Sequence, residues 1–159
     1  MNKKQVIVFT GGTWDMLHIG HLNVLQKAKQ MGTVLIVGVS TDQLVKKYKG
    51  SRPVVPYAQR FKLVSALKYV DKVVKQKKLF DLKQFKKVKA NIFVVGDDWR
   101  GQEYKVPNLK WLKDNNYLRY VRYTKGMSTS LLKERIIKDS YNIIRSQCAS
   151  CNKDKGKNA

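Results

Sequence analysis

Gln5-Val-Ile-Val-Phe-Thr10, followed by Gly11-Gly-Thr-Trp-Asp-Met-Leu-His18-Ile-Gly-His21, decides the fold. A short β-forming run enters a Gly-Gly turn, and a helical pattern follows. From Ile19 to Met31 the apolar residues Leu22, Val24, Leu25, Ala28 and Met31 recur at helical spacing, and Gly32 supplies the stop. Strand, glycine turn and helix make the first half of a βαβ unit. The only two histidines of the chain, His18 and His21, sit at that helix start. Gly11 and Gly12 allow a close backbone approach to an anion. The first helical turn leaves its N–H groups free. Two imidazoles beside free amides suit the phosphates of a nucleoside triphosphate. The alternative is a glycine turn with two surface histidines, and the segments that follow weigh against it.

Working outward, Val34 to Val39 is a continuous apolar run, as expected of a strand covered on both faces. Asp42 can cap a short helix through Tyr48. Pro56 suits a first helical position, with Phe61, Val64 and Leu67 on one face. Strands follow over 70–74, 92–95 and 118–123. Helices are expected over 81–87, 107–113 and from about Lys125–Ser130 to Arg145. Regular alternation predicts an α/β fold, a Rossmann-like doubly wound parallel sheet in a single domain with right-handed crossovers. We expect that domain to span 1–147 and a polar, basic tail, 148–159, to be frayed. Ligands of such sheets bind beyond the carboxyl ends of the strands. The segments 11–21, 40–53, 96–101 and 124–130 all follow strands and are expected to share one rim.

Lys and Arg number 33 against 11 Asp and Glu, a net charge of +22. That balance favours anionic partners: nucleotides, phosphorylated metabolites, nucleic acid or acidic membrane surfaces. The lysines are spread along the chain, densest over 72–89, as on solvated helix faces. Nucleic-acid binding stays open as a second reading, but it leaves the paired histidines unexplained. No apolar run reaches membrane-spanning length, and no apolar leader precedes the first strand, so a cytoplasmic location is the expectation. Cys148 and Cys151 form one Cys-x-x-Cys without the further ligands a zinc site needs, which favours a structural tail.

Lys46, Lys47, Lys49 and Arg52 form a basic loop whose Gly50 and Pro53 suggest a lid over a triphosphate. Asp97 and Asp98, before Trp99, place two carboxylates at a strand end. They can hold Mg²⁺, accept from substrate hydroxyls, or form an Asx turn. Lys125-Gly126-Met127-Ser128-Thr129-Ser130 opens a helix with hydroxyls and free amides, either as a cap or as a second anion site. Around the first turn, Thr10, Thr13, Trp14 and Asp15 are candidates for the nucleotide site. Trp14 can equally be core, and Asp15 can simply hold the turn.

In this order the segments resemble the cytidylyltransferase family of small nucleotidyltransferases. The matching stretches are Gly12-Thr-Trp-Asp-x-x-His-x-Gly-His21, Ser40-Thr-Asp42, Gln59-Arg60, Lys68-Tyr-Val-Asp71, Gly96-Asp-Asp-Trp99 and Gly126-Met-Ser-Thr129, within about 5–137. The resemblance implies transfer of CMP from CTP, with Mg²⁺, to a phosphorylated small alcohol such as glycerol-3-phosphate. Pyrophosphate leaves and no covalent enzyme intermediate forms. ATP as the donor is the alternative. The resemblance also implies a homodimer. It gives His18 and His21 the triphosphate and the transition state. Thr13 would hold phosphate, and Lys46 or Lys49 would reach the α-phosphate or the acceptor. Ser128 and Thr129 would take the β and γ phosphates. Asp97 or Asp98 would lie beside acceptor or Mg²⁺, and Asp71 would build the floor of the site.

Three positions depart from the family pattern. Lys68 stands where the family carries arginine, which keeps the charge but not the bidentate fork. Tyr123 stands at another arginine position, with Lys125 nearby as a possible substitute. Lys78-Leu-Phe80 stands where the glycerol-3-phosphate enzymes tend to have tryptophan.

Overall fold

The computed structural model describes residues 5–154, with side chains through Arg145. In chain order the regular elements are β1 (Ile7–Gly12), α1 (Ile19–Gln30), β2 (Val34–Ser40), α2 (Asp42–Lys49) and α3 (Tyr57–Ser65). Next come β3 (Lys72–Gln76), α4 (Leu82–Lys87), β4 (Ile92–Gly96), α5 (Pro107–Asp114), β5 (Leu118–Val121) and α6 (Thr129–Asp154). Five strands make one parallel sheet in the order β3-β2-β1-β4-β5. The order reverses at β1, between β2 and β4, so the loop after β1 opens at the topological switch point where such sheets bind ligands.

Each face of the sheet carries its own core, and strand alternation assigns residues to them. Val8, Leu35, Val37, Val39 and Val94 point to one side and pack with Leu25 and Ala28 of α1 and Val64 of α3. Phe9, Ile36, Phe93 and Val95 point to the other side and pack with Phe85 of α4 and Leu109 and Leu112 of α5. This two-sided burial is why the strands read as unbroken apolar runs, and it makes the sheet doubly wound. By contact density the chain divides into two compact units, one up to Lys125 that holds the whole sheet and one from Gly126 that consists mainly of α6.

Several local expectations shift. β1 runs through Gly11 and Gly12, which pair with Gly38 and Val39, so the glycines are strand residues and the turn comes later. Thr41, not Asp42, caps α2: its Oγ1 accepts from Leu44 N at 3.2 Å. β3 begins at Lys72 rather than Val70. α6 runs to Asp154, beyond the expected stop near Arg145. The side chains of Cys148 and Cys151 lie outside the described residues.

Asp71, expected in the floor of the site, sits instead at the amino edge of the sheet, just before β3. It accepts from Leu35 N and from Lys29 Nζ, each at 2.6 Å, and its own N–H reaches Leu35 O. It thus locks the starts of β2 and β3 to the end of α1. Partial burial alone would raise its pKa, but the bonds from Leu35 and Lys29 outweigh that and lower it. Its stabilising contribution is therefore full above the unfolded value near pH 4 and is lost as pH falls through the lower folded value. Asp71→Ala should cost about 1–2 kcal/mol in urea unfolding at neutral pH, a figure kept small because the ion pair is exposed. The difference from the parent should shrink in acid. An unchanged midpoint at neutral pH would contradict the lock.

Candidate active site

The site forms at the carboxyl ends of β1 and β4, where side-chain bonds tie the loops together. Thr13 Oγ1 lies 2.6 Å from the Tyr48 hydroxyl of α2. Asp97 Oδ1 accepts from Tyr123 N at 2.8 Å, joining the ends of β4 and β5. Asn23 Nδ2 of α1 donates to Thr124 Oγ1 at 3.0 Å.

The turn after β1 is tight, and its left-handed positions fall on Trp14 (φ 55°) and Met16 (φ 48°). A non-glycine residue holds such a conformation only when its surroundings fix it. Trp14 is fixed by burial and by an Nε1–H bond to Gly38 O at 2.9 Å. A Cβ on Gly12 would come within 2.9 Å of the indole, so Gly12 makes room for Trp14. Trp14 in turn meets His21 edge-on at 5.4 Å between ring centroids. The indole therefore positions a histidine; its N–H is already committed.

His18 caps α1: its Nδ1 accepts from Gly20 N at 3.1 Å. That bond assigns the proton of the neutral ring to Nε2. His18 and His21 stack at 3.8 Å with 23° between their planes. His18 Nε2 and His21 Nδ1 are shielded from water and lack hydrogen-bond partners. Burial lowers the His21 pKa most, His18 and Lys49 lower it further and Asp15 opposes them; the result is about 4. Burial also lowers that of His18. At neutral pH the pair is two uncharged imidazoles held at a helix start.

Arg60 of α3 is the support beneath this arrangement. Its side chain is wholly buried. Nε donates to Val55 O at 2.8 Å, one terminal nitrogen to Thr13 O, and the other to Ser40 O at 2.8 Å and Asp42 Oδ1 at 2.6 Å. Asp15, also buried, accepts from Val54 N and Val55 N at 2.9 and 2.8 Å. The basic loop expected to act as a free lid is therefore anchored at Val54 and Val55. Asp15 acts as that anchor. Gly50 (φ 77°) ends α2 in the left-handed conformation suited to glycine.

The remaining candidates divide by place. Lys49 faces the site: its charge bears on both His21 and Asp98. Lys46 is exposed on α2, one turn earlier. Burial, then the neighbouring Asp97, raises the Asp98 pKa, while bonds from backbone N–H groups and Lys49 oppose the rise. Trp99 stacks edge-on against Phe80 at 4.8 Å and belongs to the second core. Thr10 is buried, donating from Oγ1 to Val94 O, and joins β1 to β4. Gly11 faces the Gln76 amide, which a Cβ would strike at 2.4 Å. Lys68, like Asp71, lies before β3 at the opposite edge, with its ammonium 5.2 Å from the Tyr69 ring. Lys125 is exposed. In the second unit Gly126 has φ 73°, Met127 is partly buried, and Ser128 Oγ accepts from Leu131 N at 3.2 Å ahead of Thr129, the first residue of α6.

Arg60 and Tyr48 carry roles that sequence reasoning did not give them. A signal existed for Arg60, which shares the helical stripe of Tyr57 and Val64, where a charge must find buried partners. Among the described residues no three His, Cys, Asp or Glu side chains gather as metal ligands. Asp97 has one oxygen committed, and Asp98 is turned onto backbone N–H groups. The donor set fits a magnesium ion carried in by phosphates and water, with at most one carboxylate contact.

A parallel sheet whose strand order reverses at β1, with an imidazole pair at that switch point, places the chain among α/β proteins that bind ligands beyond the carboxyl ends of their strands. The family model "Cytidylyltransferase-like" matches residues 9–135, and the chain belongs to that family. It is 40% identical over 131 residues to the bifunctional protein HldE of a Nitratiruptor species, covering 82% of this chain but only 27% of that one. It is 35% identical over 133 residues to the glycerol-3-phosphate cytidylyltransferase of Staphylococcus aureus, covering 81% of this chain and 93% of that one. A lipopolysaccharide core biosynthesis protein from Thermoplasma volcanium superposes with a TM-score of 0.62 at 28% identity, over 77% of this chain and 99% of that one.

Two outcomes check the site. Arg60→Met should destabilise the protein by roughly 3–5 kcal/mol in urea unfolding, because it leaves Asp42 and three carbonyls without their donor. Arg60→Lys should recover little of that loss, since a single ammonium cannot span the four acceptors. In NMR titrations the His21 ring should stay neutral down to pH 5 and protonate near pH 4. Protonation of His21 near 6.5 would overturn the burial account.

Proposed function

We propose that the chain transfers CMP from CTP to a phosphorylated small alcohol, with glycerol-3-phosphate the first candidate. The stacked, uncharged His18–His21 pair at the α1 start carries this reading. A buried, unpaired ring nitrogen costs about 1–3 kcal/mol. Two of them side by side are accounted for by a ligand that uses them.

In this reaction a phosphate oxygen of the acceptor attacks the α-phosphorus of the triphosphate. The bond from that phosphorus to the bridging oxygen breaks, and pyrophosphate departs with the bonding electrons. No proton has to move at the reacting centre, so catalysis is a matter of positioning and charge stabilisation. His18 donates from Nε2–H to a phosphate oxygen, and His21 stands against it in a fixed stack. Lys49 adds a positive charge between the histidines and Asp98, where two anionic groups must meet. Thr13, held by Tyr48 and Arg60, orients the phosphate chain. Ser128 and Thr129, at the start of α6 in the second unit, offer the kind of hydroxyls and amides that bind phosphate. Magnesium, when bound with the triphosphate, would neutralise charge on its oxygens.

A second reading is AMP transfer from ATP to a phosphorylated metabolite. Lys78-Leu-Phe80, standing where the glycerol-3-phosphate enzymes tend to have tryptophan, bears on the acceptor rather than on the base. Phe80 is buried against Trp99 and Phe93, so this segment completes the core. The 40% identity to HldE also keeps acceptors other than glycerol-3-phosphate open.

Pyrophosphate release, measured with CTP and then ATP against a panel of phosphorylated alcohols and sugars, separates the two. CTP-dependent release with glycerol-3-phosphate is expected. Release with ATP alone would move the chain to the second reading. His18→Ala and His21→Ala should each lower kcat by about a hundredfold or more, the scale for losing a preorganised donor. Near-normal turnover in both variants would remove the histidines from the mechanism.

A further inference from the structure

α2 borders a cavity of about 670 Å³ whose lining includes Thr41, Asp42, Lys47, Arg52, Lys75 and Lys77 but neither histidine. Four of these side chains are cationic, and they come from α2, the anchored loop and the end of β3. The one acid, Asp42, is already used: Oδ1 pairs with Arg60, and Oδ2 accepts from Tyr57 N at 3.2 Å. The amino end of α2, with its positive dipole end, opens into the same space. Lys75 is held with its ammonium 5.4 Å from the Tyr57 ring centroid. Arg52 sits two residues before the anchored Val54.

We propose that this cavity is a second anion site, binding a small molecule that carries two or more phosphate groups. The proposal does not depend on the reaction assigned to the histidine site. Lysines on an edge strand such as β3 commonly serve only to block pairing with another sheet. Here Lys75 and Lys77 do more than line an edge: with Lys47 and Arg52 they close a concavity within the size range of small-ligand sites. A nucleic-acid strand needs an extended track of charge, whereas these four cations converge on one hollow. The clustering also gives part of the net charge a local purpose. With Asp42 neutralised internally, the cluster has no protein counter-ion among the residues lining the cavity.

Inorganic tripolyphosphate is the probe, titrated into the isotope-labelled full chain at near-physiological salt and followed by amide NMR. Saturable shifts are expected at Thr41–Leu44 and at Lys75–Lys77. Lys75→Gln with Lys77→Gln should weaken that binding about tenfold or more. Lys83→Gln with Lys87→Gln, the same charge change on exposed α4 positions, should leave it within about twofold. His18→Ala should retain the shifts, which separates this cavity from the histidine site. Equal weakening by both lysine pairs would reduce the effect to diffuse charge and overturn the proposal. So would loss of the shifts in His18→Ala, or their absence from the parent protein. A single-stranded oligonucleotide that displaced tripolyphosphate from these amides at about tenfold lower concentration would replace the small-molecule class with nucleic acid.

Discussion

A guanidinium with no access to water joins the start of the site loop, the end of β2, the first turn of α2 and the anchored basic loop. Arg60 does this through Thr13, Ser40, Asp42 and Val55. A buried arginine is tolerable only when its donors are met, and three of these four acceptors are backbone carbonyls whose own burial would otherwise be costly. The bonds are thus mutually dependent. Thr13 fixes where the turn leaves β1, which fixes Trp14, which sets the wall against which His21 stands. Asp15 continues the chain of support by holding Val54 and Val55. A loop with the composition of a lid becomes part of the frame.

The imidazole pair depends on that frame in a second way. Burial disfavours protonation of both rings, and His18, stacked at 3.8 Å, disfavours it further in His21. Lys49 adds to the effect at His21. Charge and hydrogen-bond donation are therefore divided between residue types: lysine provides the field, and neutral histidine provides directed N–H groups. Protonated histidines so close together would be driven apart, so the geometry requires their neutrality.

α2 separates two environments. Tyr48 meets Thr13 and the charge of Lys49 bears on His21, while Gln43, Leu44 and Lys47 line the basic cavity. Gln43 and Lys47, four positions apart, share one stripe of the helix, whereas adjacent residues such as Lys47 and Tyr48 point to different sides. The same periodicity explains why a run that reads simply as basic, Lys46-Lys47-Tyr-Lys49, resolves into lysines with different surroundings.

Local pattern along the chain dictated the alternation of strands and helices, the two-sided sheet and the rim that carries the loops after β1 and β4. These depend on local periodicity and on short turn signals, and Val8 against Phe9 or Leu35 against Ile36 already distinguishes the two faces once both are known to be covered. The histidine pair was equally legible, because its spacing and its place after β1 are local facts. Tertiary structure alone decided what the flanking residues do. Thr10, Trp14, Asp15 and Trp99 look like ligand-binding residues in one dimension. In three dimensions their polar groups or rings are committed to Val94, Gly38, the Val54–Val55 amides and Phe80. Asp71 belongs to a lock at the opposite edge, and Arg60 acquires its role only when four distant segments converge on it. Sequence specifies which groups a residue offers; which partners reach them first is settled by packing, because a buried polar group takes the partner that burial brings.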